Sequence, residues 1–179
     1  IIATYEKNSN NFEDILNLSE NTVEAYYRPY KSLKYLVNRF QKHPIYNYSF
    51  LGVYNEANVL QTILVTRAIE LNKSRVLRIV DVLGSLENLG SLKQGLLGIL
   101  KTELAEYIDF TNYGIPRDTI ESLGFENLDL NKRIIIPNYF EPFIRKNIVI
   151  QGCYKAKFDY TIFKADADQD RPSLQLKQH

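Results

Sequence analysis

Leu33, Leu36, Val37 and Phe40 recur at i, i+3, i+4 and i+7, the single apolar face of a helix. Pro29 suits the first turn of that helix, and a residue before Pro44 is pushed out of the α region, so the helix should stop near His43. Three strand-like runs follow. Tyr48 to Tyr54 is aromatic and β-branched, Asn55 to Asn58 supplies turn chemistry, and Val59 to Leu71 forms a second run. Asn72-Lys73 reads as a tight hairpin, and Ser74 to Leu83 as the third strand. Its centre, Val76 to Val82, is apolar except for Arg78 and Asp81, as expected of a strand buried on both faces.

After Gly84-Ser85 the period lengthens. Leu89, Leu92, Leu96, Ile99, Leu100 and Leu104 predict a helix to about Glu106, with Gly95 and Gly98 packed closely against a sheet. Tyr107 to Thr111 reads as a short strand, and Pro116 opens a further helix that Gly124 should end in the left-handed conformation. Arg133 to Ile136 and Phe158 to Lys164 are further candidate strands. Between them, Pro137 and Pro142 bar a regular element, so Asn138 to Arg145 should fold over the sheet as a loop. Residues 1–28 are a polar lead-in with a short helix capped by Asn10 or Asn11. Residues 165–179 are an acidic tail, expected to be ordered. This order predicts an α+β domain, a mixed sheet with helices on both faces, spanning 1–179.

Composition narrows the classes. The chain has 179 residues, 45% hydrophobic and 24% charged, the balance of a globular protein. Lys plus Arg is 22 and Asp plus Glu is 21, a net charge of +1, which removes the electrostatic case for a nucleic-acid partner. No apolar run reaches the roughly 20 residues that a membrane span needs, so a cytoplasmic protein is expected. The lone Cys153 excludes an internal disulfide framework. The absence of Met and the start at Ile1 fit a piece of a longer chain, such as the C-terminal half of a tandem protein.

Several chemistries fail on their residues. His43 and Cys153 cannot assemble a zinc site, and no metal is expected. Gly90 and Gly95 match the outer glycines of a phosphate loop, but Leu96-Leu97 stand where Lys and Ser/Thr are required. Asp166, Asp168 and Asp170 resemble the start of a calcium loop, with Arg171 in place of its Gly and Lys177 in place of its Glu.

The stretch from Ser32 to Phe125 resembles an acetyltransferase domain of the GNAT superfamily. Leu36-Val37-Asn38-Arg39-Phe40 followed by His43-Pro44-x-Tyr46-x-Tyr48 is similar to GNAT-like halves from bacterial surface-polysaccharide clusters. Val76-Leu77-Arg78-Ile79-Val80-Asp81 resembles the strand beside the acyl-CoA, Tyr107-Ile108-Asp109-Phe110 the next strand, and Leu123-Gly124-Phe125 the end of the following helix. The tail from Phe163 to Pro172 resembles the C-terminus of uncharacterised members of that group.

The resemblance implies transfer of an acyl group, from acetyl-CoA or another acyl-CoA, to an amine of a small sugar or amino-acid substrate. It implies a donor site at Val82, Leu83, Gly84, Ser85 and Asn112, where two parallel strands splay and strand N–H groups stabilise the developing oxyanion. Asp81 is the candidate general base, because burial at the end of an apolar strand raises a carboxyl pKa; the other reading is a carboxylate bonded to a backbone N–H. His43 is the alternative base or a substrate contact, or simply a helix C-terminal histidine. Tyr46 and Tyr139 are the candidate substrate contacts within a Tyr-rich composition that could equally line a protein interface. The Arg/Gln-x-x-Gly-x-Gly/Ala loop is not present between Gly84 and Leu92, and Ile120 stands where the family often has Tyr. The second expectation is therefore a degenerate, non-catalytic GNAT-like binding or assembly domain, paired with a second such domain or with another copy of the chain.

Overall fold

The computed structural model describes residues 2–5, 29, 31–71, 73–86, 89–129, 131, 134–135, 147, 149, 153, 155, 157 and 159–166. β1 (Ile2–Tyr5) lies in what the sequence reads as a polar lead-in and pairs antiparallel with β2 (Ser49–Tyr54). The chain then meanders through β3 (Leu60–Leu71) and β4 (Ser74–Gly84). Asn58 and Lys73 adopt φ of 58° and 72° in the two turns, conformations that Asn tolerates well and Lys poorly. In the first turn, the Asn55 side chain accepts the Val59 N–H at 2.9 Å. β5 (Tyr107–Phe110) adds in parallel beside β4, giving a mixed sheet in the order β1-β2-β3-β4-β5.

Side-chain alternation builds a core on each face. On the first face, α1 (Leu33–Leu36), which continues as a π-helical turn over Val37–Gln41, lays Leu36 and Phe40 on Phe50, Ile63, Val65, Val80 and Leu83. On the second, a 3-10 turn (Leu89–Leu92), α2 (Lys93–Thr102) and α3 (Arg117–Ser122) cover Leu51, Leu64, Ile79 and Val82. Each large side chain so buried contributes about 1.5–3 kcal/mol of hydrophobic stabilisation. The α+β class and the helices on both faces are as the sequence predicts.

A bulge interrupts the β3–β4 ladder. Val65 pairs with Asp81 and Thr66 with Ile79, so Val80 is the extra residue on β4. Alternation slips by one position there, and Val80 and Asp81 both turn toward the α1 face.

Several elements end earlier than periodicity suggests. The helix expected to reach Glu106 stops at Thr102, and Leu104, expected on its buried face, is 83% exposed with φ of 51°. Gly98 has open space where a Cβ would stand, so close packing does not explain it. The strand expected over Tyr107 to Thr111 ends at Phe110 as β5, and a separate short strand, β6 (Asn112–Tyr113), follows it. That expected over Phe158 to Lys164 shrinks to β7 (Ile162–Phe163), which pairs with β6. Ile134 and Ile135 lie outside any strand and are exposed. The predicted helix near Asn10, Tyr139 and its loop, and Asp168 to His179 lie outside the described residues.

Candidate functional site

β4 and β5 stay paired only from Val76↔Tyr107 to Ile79↔Phe110. Beyond that rung the chain after Phe110 turns away to pair with β7, whereas β4 runs on from Val80 to Gly84. The apex of this parting is closed by the turn after β7. Ala165 donates its N–H to the Val80 carbonyl at 3.0 Å, Asp166 donates its own to the Phe163 carbonyl at 3.0 Å, and the Phe163 ring stacks on Phe110 at 6.0 Å.

A cluster of ionisable groups is buried at that apex. Asp81 is fully buried, and its Oδ1 pairs with the Lys31 ammonium and accepts the Val82 N–H at 2.9 Å. Its Oδ2 accepts the Tyr35 hydroxyl at 3.2 Å. Lys31 also reaches Asp166 Oδ2 at 2.9 Å and lies 4.8 Å from the centre of the Phe163 ring. Desolvation pushes the Asp81 pKa up to about 6; the Asp166 carboxylate reinforces this and the Lys31 cation opposes it. Burial and then Asp81 raise the Tyr35 phenol above its ordinary value.

Of the proposed donor-site positions, Val82 and Leu83 are buried on opposite faces of β4. Gly84 takes φ of 96°, and a Cβ there would stand 2.2 Å from the Gln61 carbonyl oxygen, so this position requires glycine for the fold itself. Ser85 donates its N–H to the Gln61 carbonyl at 2.9 Å and accepts the Thr62 hydroxyl at its own carbonyl. Asn112 pairs with Phe163 on the far side of the parting, and its amide donates to the Phe110 carbonyl at 3.2 Å.

His43 and Tyr46 come together, apart from Asp81. His43 Nδ1 accepts the N–H groups of Ile45 and Tyr46 at 3.2 and 2.9 Å, which leaves Nε2 as the protonated nitrogen of the neutral ring. The two rings stack at 5.1 Å, and the Arg67 guanidinium lies 3.9 Å from the centre of the Tyr46 ring. Tyr46 and Arg67 line a cavity of about 770 Å³ whose wall does not include Asp81.

Lys31 and Tyr35 escaped the sequence reading as partners of Asp81, and Asp166 as the second partner of Lys31. Lys31 precedes the helix and Tyr35 lies within it, the Tyr35 N–H donating to Ser32 Oγ at 3.1 Å, so no helical spacing links the two in the sequence. The other charge interrupting the β4 apolar run is also paired. Arg78 Nε donates to both oxygens of Asp109, its register partner on β5, at 2.7 and 2.9 Å.

Among the described residues, no group of three or more His, Cys, Asp or Glu side chains could hold a metal ion, and no helix is long and apolar enough to cross a membrane. No family model and no curated protein matches the sequence. The chain is similar in structure to TTHA1254 of Thermus thermophilus, with 11% identity, a TM-score of 0.46, and coverage of 86% of this chain and 99% of that one. It is also similar to a variant of the BH1408 protein of Bacillus halodurans, with 12% identity, a TM-score of 0.44, and coverage of 76% and 99%. Such distant likenesses leave the chemistry to the residues themselves.

Proposed function

We propose that this domain is a cytoplasmic N-acyltransferase that moves an acyl group from an acyl-CoA thioester to an amine of a small sugar or amino acid, as in bacterial surface-polysaccharide biosynthesis. The observation that carries this reading is the position of Asp81. It is a buried carboxyl with a pKa near 6, at the bulge where β4 loses its parallel neighbour.

Beyond the bulge, no strand among the described residues pairs with Val82–Gly84 on the side away from β3. The Val82 N–H turns to the Asp81 carboxylate instead of a ladder partner. That bare edge suits the amide-bearing arm of the donor, and a strand N–H there would stabilise the oxyanion of the tetrahedral intermediate. With its pKa near 6, Asp81 is largely ionised at pH 7 and can take the proton of the attacking amine. The C–N bond forms, the C–S bond breaks, and the thiolate leaves. Lys31 is a positioning residue in this scheme, because its charge keeps Asp81 ionised against the desolvation of its site.

A second reading, a non-catalytic GNAT-like binding or assembly domain, is favoured by the apex contact itself. Ala165 already holds the Val80 carbonyl, and the phosphate-loop pattern is missing before Leu92. Calorimetry with acetyl-CoA and with desulfo-CoA separates the two. Saturable binding of either, with acyl transfer to amines that Asp81→Asn abolishes without releasing the ligand, supports the enzyme. No heat with either ligand supports the binding domain.

A further inference from the structure

β3 outruns its neighbour β2. The last rung between them is Ser49↔Thr66, whereas β3 stays paired with β4 as far as Leu71↔Ser74. Among the described residues, no strand lies beside residues 67–71 on the β2 side. One bond fixes the backbone direction along this stretch. The Arg75 carbonyl accepts the Glu106 N–H at 2.8 Å, on the side of β4 away from β3. Glu70, the register partner of Arg75, therefore sits in a non-hydrogen-bonded pair and directs its own N–H and C=O away from β4. Alternation along the strand gives Ala68 the same direction. Both residues are exposed, and their outward backbone groups meet no partner among the described residues.

Ala68, Ile69 and Glu70 line the cavity of about 770 Å³, a volume typical of a ligand site. The segment leading into β2 departs toward the first face, where Tyr46 and Tyr48 pack with Phe40 and its neighbours. The last turn of α2 borders the cavity on the second face with Ile99 and Thr102. An open strand edge between two such walls is a template for one further strand.

A strand added there would place side chains on both faces of the sheet. Ala68 and Glu70 share the second face with Leu64, so the residues opposite them would point to that face as well. The small Ala68 side chain leaves the cavity open beside Leu51, Leu77 and Ile99. Glu70 shares the Arg75 guanidinium with Glu103, and one cation between two carboxylates leaves one negative charge in excess. A basic side chain directly opposite Glu70 answers that charge.

We propose that this groove takes an extended peptide segment of a partner protein, added antiparallel to β3 in continuation of β2. Its sequence carries a basic residue opposite Glu70 and, two positions later, a large apolar residue opposite Ala68. This assignment is independent of acyl transfer and is tested without any acyl donor.

Isothermal titration of the full chain with Ac-Thr-Lys-Thr-Leu-NH2 provides the test, and saturable binding is expected. Glu in place of the peptide's Lys should weaken binding about fivefold at low ionic strength. N-methylation of the Lys and Leu residues removes the N–H groups that face β3 and should abolish binding. N-methylation of the Thr between them, whose N–H faces away, should leave binding largely intact. Glu70→Gln, at a largely exposed side chain, should narrow the gap between the Lys and Glu peptides. Absence of binding at millimolar peptide overturns the proposal, as does equal binding of the Lys and Glu peptides or an equal effect of the two N-methylations. Sedimentation of the chain alone should show no dimer that the peptide dissociates; such a dimer would assign the edge to a second copy and overturn the proposal.

Discussion

Ala165 gives its N–H to the carbonyl of Val80, the one residue of β4 that the β3 ladder skips. A residue near the end of the described chain is thereby joined to the middle of the sheet, at the place where β4 and β5 separate. The same turn sends Asp166 to Lys31, and Lys31 to Asp81. The two contacts make residues 163–166 part of the core instead of a trailing end.

Asp166→Asn keeps the shape of the side chain and removes its charge. The Lys31 ammonium would keep Asp81 but lose a second partner at 2.9 Å, and a charge-assisted bond of this kind is worth about 1.5–3 kcal/mol. Urea denaturation should register a loss of that size. Truncation after Lys164 should cost more, because it also removes the Ala165 N–H. Unchanged midpoints in both variants would show that the turn is dispensable.

Asp81 should make stability depend on pH in an unusual direction. Its pKa is raised in the folded state from 3.8 to about 6, so between those values the folded chain holds a proton that the unfolded chain releases. This group therefore adds stability as pH falls from 7 toward 4, on the order of 3 kcal/mol in full, and the gain is lost as pH rises through 6. Asp81→Asn lacks this titration. The stability difference, wild type minus variant, should grow as pH falls from 7 to 4.5, and a constant difference would refute the shift. Acyl transfer, under the function proposed above, should decline over the same interval as the base is protonated.

Gly84→Val should cost on the order of 3 kcal/mol, because φ of 96° is strained for any β-branched residue and the new Cβ meets a carbonyl oxygen at 2.2 Å. Thermal melting measures it directly. Loss of acyl-CoA binding in this variant would report on the fold, so Asp81→Asn is the better probe of the site.

Arg78→Met should destabilise by about 3–5 kcal/mol by leaving Asp109 buried without its cation. Pairing it with Asp109→Leu should recover much of that loss, since both ends then become apolar. A double-mutant cycle by urea denaturation gives the coupling. Additive losses would mean that the two side chains act separately.

The parts legible in the sequence are those set by local periodicity. The apolar face of Leu36 and Phe40, the meander through Tyr54, Leu71 and Gly84, and the left-handed stop at Gly124 each rest on residues within a few positions of one another. The residues that failed did so for lack of local competition. Leu104 fits the apolar period of α2, yet the backbone after Thr102 turns left-handed and carries it into solvent. Asp81 stands out in the sequence because burial in an apolar strand raises a carboxyl pKa, but Lys31 and Asp166 lie 50 and 135 residues from their bonded neighbours.

By itself the sequence determined the class of the fold, the order of its central elements and the burial of β4, because alternation and helical spacing are properties of neighbouring residues. Only the tertiary structure decided where β4 and β5 part, which carboxylate meets Lys31, and that Tyr46 lines a cavity separate from Asp81. Those outcomes depend on a one-residue bulge at Val80 and on chain segments brought together from far apart. No local pattern encodes either, since the energy that selects them arises only when distant side chains are desolvated together.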